Sequence, residues 1–376
     1  MHNIVIFSGY FIPHLGGIER YIDNLSRQIT KNKINVIIVT SNYNNDKYEE
    51  NVNGIKVLRL PIFNIFKNRY PIIKVYNKNY RELMSKLDNY KIDAIIVNTR
   101  FHLTSHIGAS YGKKRKIPVY LIEHGSNYVT LNNKFIDFFA NRYEDFLTFL
   151  IKNKIEGFYG VSDACGKWLK KFNIKSSGTW YNSIDCEQKV PKRKKHNTIN
   201  FMYAGRLIKQ KGVENILKSF SKLEKKYENV RLFIAGDGPE YEQYRNNYKS
   251  KNIEFLGKLE YQELLKYYAK TDVFLYPPLW PEGLPTSILE AGLMKCAVIA
   301  TDQGGIKEIV NSKNGLIVES NTESLYEGMK YLTNNHKKIK EFAEELNKTV
   351  KEKFSWTVTA KKVLKEIGMI NNERKN

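Results

Sequence analysis

The sequence predicts an α/β protein built from two successive doubly wound parallel sheets. Three observations carry that prediction. At 376 residues the chain exceeds one ordinary core and suits two domains of common size. Short continuous apolar runs alternate with amphipathic helical patterns, as buried parallel strands and their crossovers require. The alternation stops at Glu187–Asn200, which holds Pro191 and five consecutive basic residues from Lys192 to His196, and then restarts.

In the first half, strands are predicted at Asn3–Phe7, Asn35–Val39, Ile55–Leu60, Ala94–Val97, Val119–Ile122 and Gly157–Val161, with helices clearest at Glu19–Thr30 and Asn79–Leu87. After the interruption come strand Ile199–Tyr203, helix Val213–Lys226, strand Val230–Ala235, helix Glu240–Tyr248, strand Ile253–Leu256, helix Tyr261–Lys270, and strands Val273–Tyr276 and Val298–Ala300. The predicted domains are 1–186 and 199–352, joined by a linker at 187–198. A last amphipathic helix within Ser355–Ile367 closes the pattern, as part of a 353–372 segment expected to cross back to the first domain. Two such sheets leave one natural binding place, a cleft between their carboxyl ends.

Composition narrows the class. With 42% hydrophobic and 13% aromatic residues the chain buries its cores and is not disordered. No apolar run reaches spanning length, and the N-terminus reads as entering a strand directly, so no cleavable leader is expected. Three scattered cysteines, Cys165, Cys186 and Cys296, form neither a disulfide framework nor a zinc site. The expectation is a cytoplasmic protein. The net charge of +22 favours a polyanionic partner. An anionic membrane surface and a plain lysine-rich bias both account for it, whereas no nucleic-acid motif accompanies it.

The richest stretch is Pro281-Glu282-Gly283-Leu284-Pro285-Thr286-Ser287-Ile288-Leu289-Glu290. It places one carboxylate in a Gly/Pro loop and a second in the helix that the loop opens, with Pro285 suited to the first turn and Thr286 or Ser287 to its free amides. Carboxylates accept hydrogen bonds, and a sugar supplies hydroxyl donors in adjacent pairs. Loop amides and a helix start favour an anion nearby. The combination points to a nucleotide-sugar site.

Smaller constellations fall at strand ends. Gly16-Gly17 precedes the first helix, where its backbone can approach a phosphate but a glycine pair is more often an ordinary turn. Gly205-Arg206 with Lys211-Gly212 follows strand Ile199–Tyr203 and can hold phosphate oxygens. Gly236-Asp237-Gly238-Pro239 reads as a tight turn. Glu123-His124-Gly125 puts an imidazole at a strand end, either as a ligand contact or as a structural histidine. Basic and aromatic residues interleave from Phe66 through Tyr80 and Arg81, as at a lipid headgroup layer. Phe135, Phe138, Phe139, Tyr143, Phe146, Phe149 and Leu150 recur at helical spacing and read as ordinary core.

Together these motifs, with Gly257-Lys258-Leu259 and Phe354-Ser355-Trp356, resemble the retaining GT-B glycosyltransferases of glycosyltransferase family 4, also called glycosyl transferases group 1. The resemblance implies the GT-B fold, two Rossmann-like domains facing each other across a cleft. It implies transfer of a hexosyl or N-acetylhexosaminyl group, with retention, from a nucleotide-sugar donor such as a UDP-sugar. The acceptor would be a glycan or a polyprenyl-linked sugar in surface polysaccharide synthesis, and the basic-aromatic segment adds the expectation of an enzyme peripheral on the inner face of the cell membrane. Arg206 and Lys211 would hold the diphosphate, with Gly16 and Gly17 amides beside it. Glu290 would take the ribose hydroxyls, and Glu282 with Gly283, Leu284 and Pro285 would orient the sugar. His124 would lie near the reacting carbon and Leu259 near the base. No Asp-X-Asp occurs, so neither a metal nor another cofactor is expected beyond the donor. The family's Asn-Gly-hydrophobic-Asp turn reads Asn182-Ser183-Ile184-Asp185, where serine suits a positive backbone angle poorly. A nucleotide-sugar epimerase of similar fold and a non-catalytic polyanion binder are the alternatives.

Overall fold

Apolar residues on both sides of a strand demand cover on both sides, and the sheets meet that demand by alternation. The structure, a computed structural model, describes residues 2–14, 16–44, 46–65, 70–128, 133–193 and 196–370. It divides into two compact units, 1–182 with 356–376, and 183–355.

Unit 1 contains β1 (Asn3–Phe7), α1 (Gly17–Lys31), β2 (Asn35–Ser41), β3 (Glu49–Val52), β4 (Ile55–Leu60), β5 (Ile62–Ile65), β6 (Tyr70–Ile73), α2 (Lys78–Lys86) and β7 (Ala94–Asn98). It continues through α3 (Leu103–Arg115), β8 (Val119–Glu123), α4 (Lys134–Lys152), β9 (Gly157–Gly160), α5 (Asp163–Trp168) and β10 (Gly178–Thr179). The sheet order is β10-β9-β8-β7-β1-β2-β4-β3, with β3 antiparallel to β4 and the other pairings parallel. Along β1, Ile4 and Ile6 enter one core layer while Val5 and Phe7 enter the other.

Unit 2 contains β11 (Ile199–Ala204), α6 (Val213–Leu223), β12 (Val230–Ala235), α7 (Tyr241–Asn247), β13 (Ile253–Gly257), α8 (Tyr261–Tyr268) and β14 (Val273–Tyr276). Then come α9 (Thr286–Leu293), β15 (Ala297–Thr301), β16 (Leu316–Val318), α10 (Thr322–Asn334) and α11 (His336–Lys353). Its six strands run parallel in the order β13-β12-β11-β14-β15-β16. Both units are therefore doubly wound and Rossmann-like.

The last helix, α12 (Trp356–Glu366), belongs to unit 1. Trp356, Ala360, Val363 and Leu364 recur at helical spacing and join the core layer that holds Tyr21, Ile22, Leu25 and Ile29 of α1. The Trp356 ring meets Tyr21 edge-on at 5.0 Å, and Glu366 accepts from the Trp180 indole at 2.6 Å.

One expectation is overturned. The aromatic strip on α4 is not core: Phe135 is 72% exposed, Phe138 59%, Phe146 57% and Phe149 64%. Phe139, Tyr143 and Leu150 are exposed as well. The helix buries its opposite face instead, through Glu144, Leu147, Thr148 and Ile151. Helical spacing identifies a face but not what covers it.

Candidate functional site

Unit 2 assembles the charged residues that the sequence singles out at one edge of its sheet. The chain leaves β11 for β12 and β13, then returns to the other side of β11 as β14. Loops that leave two neighbouring strands in opposite directions open a crevice at their carboxyl ends. Arg206 and Lys211 lie on the loop after β11, and Glu282 lies on the loop after β14.

Glycines at constrained positions bring these loops together. Gly212 has φ +67, and a Cβ there would stand 2.0 Å from the Pro277 carbonyl oxygen. The Leu279 amide donates to the Gln210 carbonyl at 2.8 Å, tying one loop to the other. Beyond β15, Gly304 has φ +60 and sits where a Cβ would be 1.8 Å from the Glu282 carbonyl oxygen, and the Gly305 amide donates to that same oxygen at 3.1 Å. The turn at Gly236–Pro239 is also more than a connector: Leu207 donates to the Asp237 carbonyl at 2.9 Å, and Gly236 packs on the Gly205 backbone.

The side chains then meet. Lys211 Nζ lies 2.5 Å from Glu282 Oε1 and 3.2 Å from the Tyr276 hydroxyl. Burial, then the Glu282 charge, pushes the Tyr276 hydroxyl far above its ordinary range, so it stays protonated. The exposed Arg206 guanidinium is close enough for its charge to oppose that push at both Tyr276 and Tyr203. Tyr203 in turn donates to the Arg206 carbonyl at 3.0 Å. Glu290 joins through the first turn of α9. The Ser287 side chain opposes the upward push on the Tyr276 hydroxyl, and the Tyr268 hydroxyl is shared between the Ser287 carbonyl at 3.3 Å and Glu290 Oε2 at 3.2 Å. Two cations and two carboxylates thus lie around one tyrosine-lined edge, with acceptors for hydroxyls beside cations for an anion.

The remaining unit 2 residues take supporting places. Leu284 and Pro285 are buried, and Gly283 is half-buried. Pro285 occupies the N-cap of α9 rather than its first turn, and it supplies no cap hydrogen bond. Leu259 is half-buried on the loop after β13, a third strand of the same edge. Ser183 avoids a positive φ, so serine brings no strain to the Asn182–Asp185 segment. Sequence reasoning does not single out Tyr276, Tyr203 or Gly304. The Gly304-Gly305 pair just after a strand is the available signal for the last of these.

Unit 1 has its own switch point, between β1 and β7. His124 follows β8, and its Nε2 lies 2.9 Å from Asn98 Oδ1. Asn98 Nδ2 donates to the Phe7 carbonyl at 3.2 Å, which turns Oδ1 toward the imidazole. Nε2 therefore carries the proton and Nδ1 is left as an acceptor. Burial, then the charge of His102, pulls the His124 pKa down to about 3, so the ring is neutral near pH 7. Gly17 opens α1, and a Cβ there would meet nothing within 4 Å. Gly16 differs: the space beside it is filled by the Glu19 carboxylate, 2.4 Å from where a Cβ would stand.

Residues 66–69 of the basic-aromatic segment lie outside the described residues. Near them Lys74 stands over the Phe63 ring at 4.4 Å, and Tyr76 is 88% exposed. Among the described residues no group of three His, Cys, Asp or Glu is placed to hold a metal, and no helix is long and apolar enough to cross a membrane.

Two Rossmann-like units define a protein of the GT-B class. Residues 15–188 match the family described as Glycosyltransferase Family 4, and residues 185–352 match Glycosyl transferases group 1. An uncharacterized glycosyltransferase of Methanocaldococcus jannaschii is 29% identical, over 96% of this chain and 97% of that one. The GPI3 subunit of the Saccharomyces cerevisiae phosphatidylinositol N-acetylglucosaminyltransferase is 24% identical, over 86% of this chain and 73% of that one. Anabaena HepE, solved in complex with UDP-glucose, superposes with TM-score 0.74 at 14% identity, covering 98% of this chain and 100% of that one. The chain is a glycosyltransferase of the group 1 and family 4-like kind.

Proposed function

We propose that this glycosyltransferase takes a hexosyl or N-acetylhexosaminyl group from a nucleoside-diphosphate sugar and passes it, with retention, to a glycan or polyprenyl-linked sugar in surface polysaccharide assembly. The observation that carries the reading is the Lys211–Glu282 pair beside Arg206 at the β11/β14 switch point. It offers cations to a diphosphate and a carboxylate to sugar hydroxyls within one crevice. HepE is a neighbour of similar fold whose structure holds UDP-glucose, and a uridine donor is the corresponding choice here.

In the proposed reaction the bond from the anomeric carbon to the diphosphate oxygen breaks while positive charge grows on the sugar ring. Arg206 and Lys211 stabilise the negative charge gathering on the leaving diphosphate, each such contact contributing ~3 kcal/mol to the transition state. The acceptor oxygen bonds to the anomeric carbon on the same face, and its proton passes to a leaving phosphate oxygen. Glu282, with Gly283 and Leu284, orients the sugar; Glu290 takes the ribose hydroxyls; the loop carrying Leu259 borders the base. In unit 1, neutral His124 offers Nδ1 as an acceptor to a hydroxyl, and the amides at Gly16 and Gly17 are assigned to phosphate. No metal is assigned a step, because charge neutralisation falls to the cationic side chains. The enzyme would work from the cytoplasmic side of the membrane.

Thermal unfolding with a panel of nucleoside diphosphates tests the reading. Stabilisation by one of them, lost in Lys211→Ala and Arg206→Ala, is the expected result. No stabilisation by any nucleoside diphosphate would sink it. Full transfer in excess chelator is expected as well, and activity restored only by magnesium or manganese would overturn the metal-free assignment.

A further inference from the structure

Among the described residues, the outward side of α4 is a surface without internal cover. Phe135, Phe138, Phe146 and Phe149 all face solvent, along a stretch of roughly 21 Å of helix. The same helix buries Leu147 and Ile151 on its inner side. Apolar side chains thus stand on two opposite sides of this helix, and only one of the two is enclosed. A continuous exposed apolar stripe of this kind marks an interaction site.

The charges around the stripe say what the partner is. Lys134 opens the helix and Lys152 closes it, with Lys152 over the Phe149 ring at 5.3 Å and Arg142 over Phe138 at 5.9 Å. Nearby, Lys171 stands over Tyr128 and Trp168 at 4.2 and 5.1 Å. Of the acidic residues of the helix, Asp137 is half-buried in the first turn. Glu144 is buried against Arg100 at 2.7 Å, and Asp145 is paired with Arg142 at 2.8 Å and bonded by the Tyr128 hydroxyl. Aromatic rings flanked by long cationic side chains match the headgroup layer of an anionic bilayer, where rings enter the interface and cations meet lipid phosphates. The chain's net charge of +22 favours that surface and opposes stacking against a second copy.

We infer that the exposed face of α4 docks the protein on an anionic lipid bilayer. The helix is held rigidly enough to serve. Arg100, fully buried, bonds Glu144 on α4 and Glu123 at the end of β8, at 2.7 and 2.9 Å, and Glu123 directly precedes His124. Docking through α4 therefore sets the carboxyl edge of the unit 1 sheet at a fixed offset from the membrane. This rests on the reading of a lipid-linked acceptor and names how such an acceptor is approached.

Sedimentation with phosphatidylcholine vesicles, with and without phosphatidylglycerol, tests the assignment. The whole protein should pellet with the anionic vesicles, and the Phe138→Ser/Phe146→Ser/Phe149→Ser variant should bind at least about tenfold more weakly. All three positions are exposed, so the fold should persist, as checked by circular dichroism. Phe146→Trp supplies a second readout, a blue-shifted emission on addition of anionic vesicles. No vesicle binding, binding unchanged in the triple variant, or no blue shift in the Phe146→Trp variant would each overturn the proposal. So would a wild-type dimer in ultracentrifugation that the triple variant converts to monomer, since the stripe would then serve self-association. Stabilisation by UDP should be equal in wild type and triple variant. Vesicle binding without any such stabilisation would refute the donor assignment and leave the docking face standing.

Discussion

Lys211 and Glu282 lie 71 residues apart in the chain, and their charged atoms lie 2.5 Å apart in the fold. The contact exists because β11 and β14 are sheet neighbours while two strands and three helices intervene between them in sequence. Tyr276, the last residue of β14, receives a hydrogen bond from the same ammonium. A cation, a carboxylate and a phenol thus share one small space, and each restricts where the others point.

That coupling is measurable. Lys211→Met should lower kcat/KM for the donor by about 10²–10³-fold, and Glu282→Gln should cost less. The double variant should fall well short of the product of the two effects, because Lys211→Met already leaves the carboxylate without its cation. Strictly multiplicative effects in steady-state kinetics would show that the two side chains act independently.

Gly304 makes a different demand. Its φ of +60, and the 1.8 Å that would separate a Cβ from the Glu282 carbonyl oxygen, leave no room for any side chain. Gly304→Ala should displace the Glu282 loop and raise KM for the donor at least about tenfold, with a loss of about 1–3 kcal/mol in stability. Wild-type donor affinity in this variant, read by calorimetry, would mean that the loop tolerates the shift.

Arg100 is expected to matter for stability. It is buried with Glu123 and Glu144 as its two carboxylate partners. Arg100→Met leaves both acids buried without a cation and should cost about 3–5 kcal/mol in urea unfolding. A triple Arg100→Met/Glu123→Gln/Glu144→Gln variant should recover part of that loss, because the uncompensated charge is what destabilises.

Acid should weaken unit 1 through its histidines. Burial lowers the His102 pKa to about 4, and burial followed by the His102 charge lowers that of His124 to about 3. The unfolded chain binds these protons near pH 6.5 and the folded chain does not. Stability is therefore unaffected by these groups above pH 6.5 and falls as pH drops from 6.5 toward 4, by on the order of 1 kcal/mol per pH unit for each group. The Tm of a His102→Asn variant should fall less steeply across that window than the wild-type Tm. Parallel curves would show that His102 titrates normally.

Much of this arrangement was legible in the chain itself. The strands Asn3–Phe7, Ile55–Leu60, Val230–Ala235 and Val273–Tyr276 are apolar runs bounded by turn residues, and they form over those same residues. The motif residues Arg206, Lys211, Glu282 and Glu290 stand out because their chemistry and their place after strands are both local properties. The helix α3 was not legible, since Gly108 and Gly112 interrupt its pattern. A Cβ at Gly108 would stand 2.6 Å from the Phe7 ring, so the glycine serves packing that no local pattern announces. The strip on α4 misled for a related reason: helical spacing of aromatics looks the same whether the face meets a core or solvent.

By itself the sequence determined two rounds of alternating strand and helix, and it singled out the candidate site residues and the loops on which they sit. Only the tertiary structure decided that the chain doubles back after β13, that Tyr276 and Gly304 complete the edge holding Lys211 and Glu282, and that the phenylalanines of α4 point outward. The physical reason is one of range. Apolar period and turn chemistry act over a few residues, whereas strand order and the covering of a face depend on which distant segments pack together.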